Sequence, residues 1–328
     1  MSSEAGVQQP HPLSRTPLGL GLVGAGEVAE RHIAAAATVD DVRVAAVYDV
    51  RPERSTVPDF DALLAHPEVD VVVLTVPHAL HEDLAVRAAA AGRHVLVEKP
   101  MATTTAGCAR MIAAAEAAGV VLWVGQQQRQ FAHVRAARDL LRSGDFGAIL
   151  RYREIRSNHY GPGRPAWFFD PGLAGGGVSM LVGVHTIDRA SILLGAAPVA
   201  VAATTQTPDG WRIETSADGE LFFDAPVTCH FRWYSAEAFR HETTVECERG
   251  TLLLDPTGLT AGGRRVVEFD ADREYTESFA RQYRALVRTV RDGAEPEIRP
   301  AEGLAAVATV EAIYASAQRQ GVRMAINS

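Results

Sequence analysis

From Leu18 onward, short apolar runs alternate with Ala-rich helical stretches. "LGLGLVG" is followed by "AERHIAAAAT", "VRVAAVYD", "PDFDALLAH", "VDVVVLTVP", "HEDLAVRAAAAG" and "HVLVEKP". Strands that are apolar at successive positions are buried on both faces, and with helices between them they predict a parallel sheet covered by helices. The pattern runs on through "TTTAGCARMIAAAEAAG", whose threonines can cap a helix, to a strand "VVLWVG" that ends at Gly125.

Beyond Gly125 the period changes. A helix, "AHVRAARDLLRSG", leads into longer alternating runs: "AILRYREIRS", "VAVAATTQT", "GELFFDA", "VTCHFRWYS" and "HETTVECE". Alternation predicts strands with one face buried and one open, hence a mainly antiparallel sheet. "ESFARQYRALVRTVRDG" and "AEGLAAVATVEAIYASAQRQG" return to helical spacing, and the last helix could pack on either part. The expected fold is α/β: a polar tail at 1–16, a doubly wound Rossmann unit at 17–125, and at 126–328 a second α/β unit with a large, mainly antiparallel open sheet. A chain of 328 residues is long enough for two cores.

Composition narrows the function. A formal net charge of −8 and the absence of a dense Lys/Arg cluster argue against a nucleic-acid partner. Cys108, Cys229 and Cys247 are odd in number and widely spaced, which fits neither a disulfide framework nor a metal knuckle and points to a reducing cytoplasm. The first sixteen residues lack the basic and apolar regions of a secretory signal, and Gly, Pro or charges interrupt every apolar stretch before membrane-spanning length, so no membrane partner is expected.

Two frames satisfy G-x-G-x-x-G/A: Gly19, Gly21 and Gly24, or Gly24, Gly26 and Ala29. Only the second follows a strand and opens a helix, so that helix amides, from Glu27 and Val28 onward, can hold a pyrophosphate. Asp49 closes the next strand, 23 residues beyond Gly26, where an acid can accept hydrogen bonds from a ribose diol. That carboxylate favours NAD, while Arg51 keeps NADP possible. Glu98, Lys99 and Pro100 follow the fourth strand, at the carboxyl edge where doubly wound sheets bind ligands.

These residues resemble the glucose-fructose oxidoreductase, inositol dehydrogenase and MocA family (Gfo/Idh/MocA). The resemblance rests on Gly24-Ala25-Gly26 with Ala29, "VLTVPHALHEDLAVRAAAAGRHVLVEKPMA", "GLAGGGVSMLVGVHTID", "ERGTLLL" and "AAVATVEAIYASAQ". It implies a nicotinamide cofactor between the two units, and a homodimer or homotetramer paired through the second sheet. Thr75, Pro77 and His81 match the family segment beside the nicotinamide ribose, with His78 where Asn is usual. Lys99 matches the lysine that contacts both cofactor and reacting hydroxyl, and His185 the histidine that moves the hydroxyl proton. Arg129 falls in a segment that commonly touches substrate, and His159 and Trp167 are candidates for the pocket wall. His78 and His81 form no metal pair on spacing, because no third or fourth ligand accompanies them.

One position departs from the family. Four residues before His185, where an Asp is usual, stands Leu181. Positions four apart share a helix face, so the histidine loses an acidic neighbour, and in an apolar setting its pKa is expected to fall. Asp188 reads as a structural group. The implied activity is NAD(P)-dependent hydride exchange with a secondary alcohol or ketone of a sugar, cyclitol or related small molecule. A redox-neutral, NAD-dependent glycosidase and a non-catalytic NAD-sensing regulator are the alternatives.

Overall fold

The computed structural model describes residues 16–161 and 163–327, so the tail expected at 1–16 lies, but for Thr16, outside the described residues. β1 (Leu18–Val23) leads into α1 (Glu27–Ala36), then β2 (Val42–Tyr48), α2 (Phe60–Ala65), β3 (Val71–Leu74), α3 (His81–Ala90), β4 (His94–Glu98), α4 (Thr105–Ala118) and β5 (Leu122–Gly125). All pairings are parallel, in the order β2-β1-β3-β4-β5. Val71 to Leu74 are wholly buried, as a central strand covered on both faces requires. Thr104 caps α4 through its side chain, and Gly119 ends it at φ +66°. The chain leaves β1 for β2 on one side and returns to β3 on the other. That reversal opens a crevice at the carboxyl ends of β1 and β3.

The second half supplies α5 (Ala132–Arg142), β6 (Ile149–Asn158), α6 (Pro171–Ala174), α7 (Val184–Leu194), β7 (Ala200–Gln206), β8 (Ser216–Phe222), β9 (Thr228–Ser235), β10 (Arg240–Cys247), β11 (Gly250–Asp255), β12 (Gly258–Ala261), β13 (Arg264–Glu268), α8 (Ala271–Asp292), α9 (Pro300–Gln318) and β14 (Met324–Ala325). The strands form one sheet, β13-β12-β11-β10-β6-β9-β8-β7-β14, antiparallel except between β6 and β9. On one face α5, α7 and α9 cover it; the other leaves Arg151, Arg153, His230 and Arg232 exposed.

The two cores share helices. α8 packs on α1, and its Phe279, Tyr283, Leu286 and Val287 complete the core of the first sheet, although they lie far beyond Gly125 in the chain. α9 contributes Val307 to that core and Ala306, Val310 and Ile313 to the other. Against the sequence expectation, Pro171–Leu194 is long and apolar enough to cross a membrane, with mean hydropathy 1.2 over its best window; 83% of that window is buried inside the protein. It is a core segment, made apolar by what it packs against.

Candidate active site

The turn after β1 is shaped for close backbone approach. Gly24 sits at φ +91°, and a Cβ there would lie 2.6 Å from the Thr75 carbonyl oxygen. Thr75 locks the tip of β3 to this turn, its Oγ1 donating to the carbonyls of Gly24 (2.9 Å) and Val23 (3.1 Å). A Cβ on Gly26 would meet open space, and Gly26 caps α1 without a side-chain acceptor. The first amides of α1, at Glu27 and Val28, are therefore open to an anion such as a pyrophosphate, and the chain fits a dinucleotide here. Gly19 and Gly21, of the rejected frame, lie inside β1.

Asp49 accepts from the Ala25 amide at 2.7 Å and from Arg51 through Nε (2.7 Å) and Nη2 (3.0 Å). The Arg51 guanidinium holds its carboxyl well below the usual range. Arg54 donates to the Ala25 carbonyl at 2.8 Å, so a second guanidinium is tied to the turn whose Ala25 amide bonds Asp49.

Lys99 and His185 line one cavity of about 360 Å³. Lys99 extends from the end of β4; Glu98 behind it accepts from the Lys99 amide and bonds His32 (3.1 Å), which in turn meets Tyr283 of α8 at 2.7 Å. The ammonium donates to the backbone carbonyl of Leu181 at 3.0 Å. Residues Ser179–Gly183 form a π-helical turn, a widened turn of the kind that frees carbonyls from the helical ladder. So where the family places a carboxylate, this chain holds its lysine by the backbone of the same residue. Burial, with Arg156 and Arg164 nearby, brings the Lys99 pKa down to about 8.

His185 Nδ1 lies 3.1 Å from Gln126 Oε1. An amide oxygen only accepts, so Nδ1 carries the proton and Nε2 keeps its lone pair. Burial, reinforced by Lys99, Arg156 and Arg189, pushes the imidazole well below its ordinary range, as the loss of an acidic neighbour predicted. Gln126 follows the last residue of β5, a carboxyl-edge position that sequence reasoning passed over.

Sequence reasoning also missed the cavity floor. On β6 the even positions Glu154 and Arg156 are buried, and Arg156, Asn158 and Tyr160 line the cavity. Charged residues in the inward register of an alternating strand were the available signal. Glu154 Oε1 accepts from Thr186 (2.6 Å); its Oε2 accepts from Tyr152 (2.5 Å) and Thr243 (3.1 Å). Burial pushes its pKa up, but Arg189, His241 and Arg156 more than offset this and hold it well below the usual range.

A second cavity, about 170 Å³, adjoins the first and is lined by Gly26, Glu27, Val28, Thr75, His78, His81, Glu98, Lys99 and Trp167. Trp167 meets His78 edge to face at 4.9 Å. His78 Nδ1 donates to the Ala174 carbonyl at 2.7 Å, and His81 places Nδ1 and Nε2 against the carbonyls of Pro100 and Val76. Pro77 opens the single helical turn at His78–Leu80 that sets both histidines.

Two expected wall residues are elsewhere. Arg129 is bound by Asp188 at 2.6 Å and by Glu302 at 2.9 Å and faces a separate cavity beside Ser191 and Arg299. It lies on a short 3₁₀ turn, Gln127–Gln130, which carries Gln128 to the active-site cavity and Arg129 away from it toward α9. His159 is exposed; it is the first residue past the end of β6, between Asn158 and Tyr160, which line the cavity.

Residues 18–126 match the family described as "Oxidoreductase family, NAD-binding Rossmann fold", and residues 134–253 match the GFO/IDH/MocA C-terminal domain. The chain is similar to "D-xylose 1-dehydrogenase (NADP(+)) 2" of Haloferax volcanii, 31% identical over 90% of this chain and 93% of the relative. It is also similar to "Inositol 2-dehydrogenase" of Streptomyces avermitilis, 29% identical with 94% of each chain covered. Among solved structures, the aldose-aldose oxidoreductase from Caulobacter crescentus complexed with glycerol superposes with TM-score 0.83 at 28% identity, over 94% of this chain and 99% of that one. Matched in both halves, and more than 30% identical to a relative along nine-tenths of its length, this chain belongs to the Gfo/Idh/MocA family of oxidoreductases, with an NAD-binding Rossmann fold.

Proposed function

We propose that the protein interconverts a secondary carbinol and a ketone on a sugar, cyclitol or related small molecule, with Lys99 and His185 as its catalytic residues. The observation that carries this is the meeting in one cavity of an ammonium held by a backbone carbonyl and an imidazole held in a single tautomer. A bound nicotinamide supplies the acceptor or donor of the hydride. In oxidation, His185 Nε2 takes the hydroxyl proton while the Lys99 ammonium stabilises the charge that develops on oxygen. In reduction the same path runs backwards: protonated His185 Nε2 returns the proton to the carbonyl oxygen, which the Lys99 ammonium polarises. Glu98, His32 and Tyr283 fix the base of the lysine, and the Leu181 carbonyl fixes its tip.

Gly24, Gly26, Glu27, Val28, Thr75, Pro77, His78 and His81 would hold the dinucleotide, with Asp49 toward the adenosine ribose. The ionised Asp49 favours NAD, and Arg51 with Arg54 offers a way to accept the extra phosphate of NADP. Trp167, against His78, lines the nicotinamide side. The exposed face of the second sheet supports a homodimer or homotetramer, which sedimentation velocity tests. Three buried, unbridged thiols support a reducing, cytoplasmic setting. The central test is reduction of NAD or NADP with a panel of aldoses, polyols and cyclitols; no turnover of any of them in either direction overturns the reading.

A further inference from the structure

Behind the wall of the cavity two guanidiniums, Arg156 and Arg189, share one carboxylate, Glu154, and of the three Arg156 lines the cavity. Arg189 Nη1 is 3.4 Å from Glu154 Oε1, whereas Arg156 Nη1 is 3.8 Å away, beyond hydrogen bonding. The Glu154 oxygens are already occupied by the hydroxyls of Thr186, Tyr152 and Thr243. Arg156 Nη1 donates instead to neutral Gln128 at 3.2 Å, and among the described residues its buried Nε has no partner. Arg156 is 5% exposed and lines the cavity. Among the described lining residues the cations are Lys99, Arg156 and Arg164, and the one carboxylate is Glu27, exposed at the start of α1.

A buried cation that shares a single, distant counter-charge with a second cation is costly, and a fold tolerates it where a ligand brings further negative charge. We infer that the substrate is an acidic carbohydrate, a sugar or cyclitol bearing a carboxylate that seats against Arg156 while its carbinol lies between Lys99 and His185. Around Glu154 the excess is a single positive charge, two guanidiniums less one carboxylate. A carboxylate carries one negative charge and a phosphate nearer two, and the planar guanidinium fork matches a carboxylate. Arg164, at the rim shared by both cavities, adds positive potential along the way in.

This inference rests on the oxidoreductase reading of the same site, and paired ligands separate the two. D-Glucuronate is compared with D-glucose and D-xylose, D-galacturonate with D-galactose, and glucose 6-phosphate is the phosphate control. Both kcat/KM with NAD or NADP and calorimetric binding to the cofactor-loaded enzyme are measured. For the uronate, kcat/KM exceeds that of its neutral partner by roughly 30-fold, the scale of one charge-assisted contact. In Arg156→Met the ratio falls to about one, and in Arg156→Lys, which keeps the charge but loses the fork, it stays between the two. Uronate raises the melting temperature of the wild type and not that of Arg156→Met, a readout that a purely structural arginine would leave unmoved.

Equal or better turnover of the neutral sugars overturns the acidic substrate and leaves hydride transfer standing. Preference for the sugar phosphate overturns the carboxylate. If nothing is turned over, tighter uronate binding lost in Arg156→Met supports the anion site without the chemistry, and indifferent binding overturns it.

Discussion

Arg129 and Arg156 are both buried, both lie near α7, the helix that carries His185, and have opposite surroundings. Arg129 is closed on every side: Asp188 takes its Nε and Nη2, and Glu302 and the Glu297 carbonyl take Nη1. Arg156 is open, with one neutral hydrogen bond and a carboxylate just out of reach. A satisfied buried charge is a structural device, and an unsatisfied one beside a cavity is a demand on a ligand. Change on the closed side should therefore cost stability, and change on the open side should cost chemistry.

The largest effect belongs to the open side. Lys99→Ala should lower kcat/KM by about 10²–10⁴ while leaving the urea midpoint of unfolding in place. Wild-type turnover in that variant would remove the site. Asp188→Asn should do the reverse, destabilising the protein by about 3–5 kcal/mol because the Arg129 guanidinium loses its bidentate partner. A variant that kept its stability and lost activity would break the contrast, and equilibrium denaturation beside steady-state kinetics decides it.

The pH profile sharpens the open side further. His185, held well below the ordinary imidazole range, stays neutral near pH 7, while Lys99 loses its proton near pH 8. In the proposed mechanism the ammonium is the working form in both directions, so kcat/KM should fall about tenfold per pH unit above roughly 8. Lys99→Arg should lack that limb in the same assay. The smallest effect is at the adenosine edge: Asp49→Ala should shift the NADP-to-NAD ratio of kcat/KM upward by about tenfold or less, one charge already paired with Arg51 being removed. An unchanged ratio would assign cofactor choice to other groups.

The first sheet was legible because its strands are buried on both faces and read as unbroken apolar runs. The second was legible where strands are long. β11, β12 and β13 escaped notice because they are only four to six residues long and are divided by turns at Pro256 and Thr257 and at Gly262 and Gly263, too short for alternation to register. At the site, Lys99 and His185 were singled out through resemblance and lie in one cavity, whereas Arg129 and His159 lie away from it because nearness in sequence carries no direction. A one-residue step around a 3₁₀ turn or along a strand moves a side chain to the opposite side. Gln126 and Arg156 carried usable signals, the end of a parallel strand and a charge in the inward register, which only weigh once the register is known.

The crossing of α8 into the first core sets an order on how the molecule is made. A nascent chain that has emerged through Gly125 has all five parallel strands, yet Phe279, Tyr283, Leu286 and Val287, which finish that core, have still to be synthesised. The first strands must therefore wait through most of translation with apolar surface uncovered, a state prone to association. The helix that ends the wait also brings Tyr283 to His32 and Glu98, so the lysine acquires its support only when nearly the whole chain exists.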